Sequence, residues 1–499
     1  YLKNSVKEDD MVIKFGHKYQ HLVTPSSCPC CSSAINHLNN RISYDLSRRG
    51  FIAGISASIA GLALPDLAKA QTLAPPDRIK KPIVLFNLRL FDGISNNLRD
   101  NVTVIIIGNT INYVGYLAEP KGIENARVID CGGKTLIPGL IDAHWHAMLA
   151  PLSLLELMSS DVGFIHLAAS AEAERTLMRG FTTVRDLAGP TFALKKAIDS
   201  DLISGPRIYP SGAIISQTAG HGDFRFTYET PRTGSSLSRF EVIGASSISD
   251  SPDAVRRATR EQLMAGASQV KIAAGGGIIS LYDPIDVNQF RLEEIRAAVE
   301  AASDWGTYVA AHVYLPAGIR RCLEAGVKSI EHGQLIDTET AMVLADKGAW
   351  WSLQAFLDDE HATRFQAGSV NYEKQKLVTA GTENSYKLAK KYKIKTAWGT
   401  DILFDAKQAE TQGEQLTKLK HWYTPTEILK QATSVNAELL KLSGHRNPYP
   451  KKLGVIEKDA YADMILVDGD PTTNISLVAD PERNFKMIIK DGNIHKLTL

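Results

Sequence analysis

Residues 139–146 read Gly-Leu-Ile-Asp-Ala-His-Trp-His, an apolar run that ends in a His-x-His pair. Short, largely apolar candidate strands recur at 181–187, 206–215, 268–274, 308–314, 328–332, 350–356 and 395–401. Between these runs apolar residues return with helical spacing, as in RLEEIRAAVEAASDWG (291–306) and TPTEILKQATSVNAELLKLSG (424–444). The second helix carries Thr424 as its cap, Pro425 at its first position and Gly444 as its stop. Eight strands alternating with helices over about 300 residues predict the α/β class, as a (β/α)8 TIM-like barrel spanning 138–450. An open dinucleotide-binding sheet would want Gly-x-Gly-x-x-Gly after the first strand, and none stands there. Gly275-Gly276-Gly277 lacks the Gly-Lys-Ser/Thr of a phosphate loop, so it reads as a turn whose backbone passes close to a ligand.

On either side of the barrel the rhythm changes to strand after strand. Beyond Pro75, Pro76 and Pro82 come IVLFNLRLFD, VTVIIIG, NTINYVGYL and ARVIDCGGKTLIPG, separated by Asn, Asp and Gly turns. The same flavour returns in ADMILVDGDP and KMIIKDGNIHKL near the far end. Segments 71–137 and 451–499 are therefore expected to pair into a small accessory β-sandwich built from both ends of the mature chain.

The 499 residues are 44% hydrophobic, with 56 Lys+Arg against 55 Asp+Glu. That composition excludes a disordered chain, and the net charge of +1 argues against nucleic acid as a partner. No apolar run reaches the roughly 18 residues of a membrane span. Residues 1–70 read as an export signal with a long n-region. Ser47-Arg48-Arg49-Gly50-Phe51 precedes an apolar stretch from Ile52 to Leu64, and Ala68-Lys69-Ala70 supplies a cleavage site before Gln71. The expectation is a client of the twin-arginine (Tat) export machinery. It would be released to the bacterial periplasm or secreted, with no stable membrane anchor after cleavage. Cys28, Cys30 and Cys31 fall in the removed segment, and Cys131 and Cys322 alone make no disulfide framework.

In a barrel of this kind, chemistry gathers at the C-terminal strand ends. Those ends offer His144 and His146, then Asp186, Lys271, His312, His332, Gln354 and Asp401. His144 and His146 stand two apart on a strand and so share a face, where they can grip one ion. Four histidines at one mouth are hard to satisfy except by metal. Lys271 lies in Val-Lys-Ile-Ala-Ala, a strand buried on both faces. Either it pairs with an acid such as Asp186, or its amine adds CO2 to give a carbamate that can bridge two cations. Asp401 could cap the next helical turn, or bind a metal and take a proton from its water.

Pro138-Gly139-Leu140-Ile141-Asp142-x-His144-x-His146, followed by Thr-Thr-Val-Arg-Asp at 182–186 and the closing ADMILVDGDP, resembles the amidohydrolase superfamily over nearly all of the mature chain. Ser-Gly-Ala-Ile-Ile-Ser with Gly220-His221-Gly222-Asp223, then Val270-Lys271-Ile272, is similar to one branch of it. That branch holds imidazolonepropionase-like proteins, prolidase-like dipeptidases and ochratoxin-hydrolysing amidases. The resemblance implies two divalent metal ions, usually zinc. His144, His146 and Asp401 would hold one, His312 and His332 the other, and carboxylated Lys271 would bridge them. The nucleophile would be a metal-bridging hydroxide, with Asp401 as general base.

Tyr314, two positions after His312, and the loop residue His221 match substrate-contacting residues of the branch, and either could donate to an oxyanion. A rim aromatic and a surface histidine are the plainer readings. His166, His361, His421, His445 and His495 have no such context. The polar connection 217–252 offers Arg225 and Arg232 to a substrate carboxylate, against the plainer reading of a solvated loop. The function expected is hydrolysis of an amide or peptide bond in a small-molecule or dipeptide substrate, such as an N-acyl amino acid, by a homo-oligomer. A cyclic amidase acting on an imidazolone or lactam is the enzyme alternative. A catalytically inactive amidohydrolase-like scaffold is the non-enzyme one.

Overall fold

A computed structural model describes residues 81–116, 123, 125–232 and 236–499. The export signal, its cleavage site and Cys28, Cys30 and Cys31 lie outside the described residues. The N-terminal part gives β1 (Ile83–Leu90), β2 (Arg99–Ile107), β3 (Thr110–Gly115), β4 (Arg127–Asp130) and β5 (Thr135–Pro138). β1, β2 and β3 form an antiparallel meander, while β4 and β5 each run parallel to part of β1.

From β5 the chain passes through Gly139 into the first barrel strand. β6 (Leu140–Trp145), β7 (Phe181–Asp186) and β8 (Arg207–Pro210) pair in parallel. After β8 come β9 (Ile214–Ser216), β10 (Ser246–Ile248), β11 (Val270–Ala273), β12 (Val309–Val313), β13 (Ser329–His332), β14 (Trp350–Leu353) and β15 (Thr396–Trp398). These seven make a second parallel arc in the order β10-β9-β11-β12-β13-β14-β15. All eight expected strand regions are therefore present, in a TIM-barrel-like α/β fold, with one correction. The third region is broken at Gly212, whose φ of 73° leaves room only for hydrogen where a Cβ would meet Gln262 and Phe192. β8 and β9 consequently belong to different arcs.

Strand pairing does not close a ring. At both seams, side-chain amides stand where a ladder would be. Gln269 Nε2 donates to the carbonyls of Asp186 (3.1 Å) and Tyr209 (2.8 Å). Across the other seam Asn436 Nδ2 donates to Ile141 O and Trp398 O, both at 2.8 Å, and its Oδ1 accepts from Trp398 N. Asn436 comes from the helix expected at 424–444. That helix begins with a Thr424–Glu427 capping box and then loosens into a π-helical stretch over Gln431–Val435. The α-helical run ends at Leu440, and Gly444 sits in the 3-10 turn beyond it.

The C-terminal strands β16 (Met464–Val467), β17 (Phe485–Lys490) and β18 (Asn493–Leu497) return to β5, with which β16 pairs antiparallel. The strands of 83–138 and those of 464–497 thus share one sheet of eight hydrogen-bonded strands. One apolar cluster holds it, with Leu85, Val104 and Leu136 from one end and Met464 and Met487 from the other. Arg207 on β8 fastens the barrel to this sheet through Asp463 (2.9 Å) and Asp491 (2.7 Å). Among the described residues no helix is long and apolar enough to cross a membrane.

Candidate active site

His144 and His146 end β6, and Asp142 on the same strand fixes what lies beside them. Its carboxylate accepts from His144 N, from Thr400 N and Oγ1 and from Gln412 Nε2, at 2.7–3.2 Å. This ties Thr400, and with it Asp401, to the His-x-His strand. Asp401 N also donates to His144 O at 2.8 Å. The Asp401 carboxylate reaches His144 Nε2 (3.1 Å) and His146 Nε2 (3.0 Å) with one oxygen, while His332 Nδ1 lies 3.8 Å from the other. His144, His332 and Asp401 present ligand atoms that all lie within 4.8 Å of one another. The helix cap proposed for Asp401 falls instead to Asp405.

Lys271 and His312 complete the six, and all six line one cavity. Lys271 Nζ is 3.5 Å from His144 Nε2, and Asp186 is not its partner. Asp186 instead accepts from Ala147 N and Thr191 Oγ1. His312 stands slightly apart from the close group, with its ring 4.5 Å from that of His332. His332 and Asp401 both have left-handed backbones, at φ 70° and 58°. Non-glycine residues adopt that conformation uncommonly, His and Asp more readily than most.

The hydrogen-bond partners of the rings set their tautomers. His312 Nε2 faces the carbonyl of Gly276 at 3.0 Å and must donate to it, which leaves Nδ1 as a lone pair. His332 Nδ1 faces Gln354 Oε1 at 2.7 Å, and His144 Nδ1 faces Glu331 Oε2 at 2.9 Å. His146 Nδ1 is buried with no partner. Burial pushes the pKa of His146 down to about 4 and holds those of His312 and His332 well below the usual histidine range. Burial also lowers the Lys271 amine to about 8, against the pull of Glu331 and Asp401. Burial alone would raise Asp401, but His144 and His332 outweigh it and keep the carboxyl well below its ordinary range. Histidine nitrogens gathered with an ionised carboxylate around one cavity are the donor set a divalent cation needs. The residues present therefore fit a metal-binding cluster.

Three residues beneath the cluster had no role in the sequence reading. Glu331 and Arg185 are both fully buried, with Arg185 Nη2 2.8 Å from Glu331 Oε2. Arg185 also donates to Ala143 O, Tyr308 and Ser329. Glu331 thus spans Arg185 and His144, while Gln354 holds His332. The signal was available: Glu331 directly precedes His332, and Arg185 sits inside Thr-Thr-Val-Arg-Asp, both charges in strands otherwise buried.

His221 and Tyr314 both line the cavity. His221 stacks on His312 at 3.9 Å, and its Nδ1 pairs with Ser280 Oγ at 2.8 Å. Gly277 lies against this ring, and a Cβ there would collide with it. Tyr314 packs edge-on against His312 at 5.1 Å. Burial and the Asp401 charge raise its phenol well above the ordinary value, so it stays a hydrogen-bond donor.

Arg225 is a correction. It is buried away from the cavity lining, and its guanidinium is taken by Asp223, at 2.8 and 2.5 Å. Asp223 in turn accepts from Ala219 N, so Arg225 braces the turn that presents His221. Arg232 pairs with Glu241. His361 and Lys418, which the sequence did not single out, do line the cavity.

A sequence model of the amidohydrolase family matches residues 135–496. The ochratoxinase of Aspergillus niger is 30% identical over 427 residues, which cover 82% of this chain and 86% of that protein. The crystal structure of an amidohydrolase superposes with a TM-score of 0.76 at 34% identity, covering 84% of this chain and 100% of that one. A prolidase crystallised with N-methylphosphonate-L-proline gives a TM-score of 0.75 at 32% identity, with the same coverage. Such relatives support a hydrolase acting on carbon–nitrogen bonds, and the match over 135–496 means that the chain belongs to the amidohydrolase family.

Proposed function

We propose that the protein is a metal-dependent hydrolase of an amide or peptide bond, acting on a dipeptide or an N-acyl amino acid with a free carboxylate. One observation carries the reading: histidines, a lysine and an aspartate from five strand ends line a single cavity, with three of their ligand atoms within 4.8 Å. His144, His146, His312, His332 and Asp401 would hold two divalent cations, most simply zinc. Lys271 would bridge them after its amine nitrogen adds to CO2 and gives up a proton. When bound, the ions acidify a water and polarise the scissile carbonyl.

The chain's own residues do the rest. Asp401, kept ionised, accepts the proton of the attacking water and returns it to the leaving nitrogen. Tyr314 and His221, which stand over His312, donate hydrogen bonds to the oxygen that becomes negative as the carbonyl carbon turns tetrahedral. Glu331 and Gln354 hold the rings of His144 and His332 in place. A panel of dipeptides, N-acyl amino acids and cyclic amides, scored for amine release, tests the reading. Turnover confined to lactam or imidazolone rings would replace it with the cyclic-amidase alternative.

Lys418 lines the cavity and Arg225 does not, so the substrate carboxylate is assigned to Lys418. Among the described residues that line the cavity, Lys418 is the only lysine or arginine besides Lys271, and the substrate would share it with Asp359, 2.9 Å away. Lys418→Met should cut the kcat/KM ratio between a carboxylate substrate and its carboxamide by about tenfold, chiefly through KM. An unchanged ratio would remove Lys418 from the substrate site. Export through the twin-arginine route is part of the same proposal, supported by the order of Arg48-Arg49, apolar run and Ala68-x-Ala70. Replacing both arginines by lysine should leave the protein in the cytoplasm of a bacterial host. Unaltered export would refute that route.

A further inference from the structure

We propose that Phe224, Phe240 and Phe404 form a cup that receives a bulky aromatic group of the substrate beside the scissile bond. The inference rests on the hydrolase reading above and adds a substrate class to it. All three rings line the cavity that holds the histidine and aspartate cluster. Phe224 and Phe240 stack at 4.4 Å, and Phe404 meets them edge-on at 5.8 and 6.2 Å. Leu149, Ile214 and Ala245 extend the same wall, which carries no charged group. Phe224 and Phe240 are buried and back the wall, while Phe404 is partly exposed and presents a flat, dry face that suits another ring far better than a methyl group.

The cup is built rigidly from two distant segments. Phe404 lies three residues after Asp401, in a turn pinned to the β6 end by Asp401 N to His144 O and Phe404 N to Leu149 O (2.9 Å). Its backbone is left-handed at φ 61°, a conformation that bulky residues rarely take. Its ring is only partly buried and stands at the edge of the proposed chemistry. Phe240 rides on a short helix capped by Ser238, and Arg239 Nε fastens that helix to Leu157 O at 3.1 Å. Phe224 is flanked by the Asp223–Arg225 clamp. Arg225 therefore acts on the substrate through the shape of this wall.

The test compares kcat/KM of the zinc-loaded full chain on N-acetylphenylalanine against N-acetylalanine, and on phenylacetylglycine against acetylglycine. An aromatic substrate should be favoured about 30-fold or more in one of the two pairs, the scale set by burying a ring. Phe404→Ala should cut that ratio about tenfold and Phe404→Leu by less, because leucine restores part of the apolar wall. Equal use of aromatic and methyl substrates, or a ratio untouched by Phe404→Ala, would overturn the cup. Calorimetric binding of N-(methylphosphonyl)phenylalanine and its alanine and glycine counterparts reads the same preference without turnover. A binding preference that Phe404→Ala abolishes, in a protein that hydrolyses nothing, would keep the cup and discard the hydrolase reading. No preference in binding would discard the cup.

Discussion

Asp401→Asn should lower kcat by about 1,000-fold or more with little change in melting temperature. The amide keeps the volume of the carboxylate, and the backbone bond from residue 401 to His144 O is untouched. What disappears is a charge held far below its ordinary pKa and a proton acceptor within 3.1 Å of two histidines. The loss should persist at saturating zinc, which separates proton transfer from weakened metal binding. An Asn variant with activity within tenfold of the parent would mean that another group moves the proton.

Glu331→Leu should cost about 3–5 kcal/mol of stability, because it strands a fully buried guanidinium. Arg185 would keep its bonds to Ala143 O, Tyr308 and Ser329 but lose its only carboxylate partner among the described residues. The double variant Arg185→Met/Glu331→Leu should recover most of that stability in denaturant unfolding, since both charges are gone. It should not recover activity, because His144 still lacks the acceptor that fixes its ring. A double variant as unstable as the single one would place the cost in packing rather than in the stranded charge.

The strand rhythm was readable because the barrel strands are short apolar runs set between helical stretches, and that alternation survives in three dimensions from β6 to β15. The candidate ligands were readable for the same reason: they sit at the ends of those runs. What escaped depends on contacts between distant segments. Gly212 breaks the third strand, but a lone glycine in an apolar run does not announce which side its neighbours will pair on. Asn436 looks like an ordinary polar residue in an amphipathic helix until the π-helical stretch places it against Ile141 and Trp398. Arg225 carries the right chemistry for a carboxylate, yet Asp223, two residues away, takes it first. Phe404 reaches the cavity from the turn after β15, and Lys418 from a 3-10 turn that follows the short helix Gln412–Thr417.

The decisive measurement is amine release from an N-acyl amino acid as chelated, metal-free protein is titrated with zinc in bicarbonate buffer. Activity should rise from zero and level off at two equivalents per chain, and Lys271→Ala should abolish the rise. Full turnover in the metal-free protein, or no zinc bound by the six residues, would contradict the site proposed at His144, His146, Lys271, His312, His332 and Asp401.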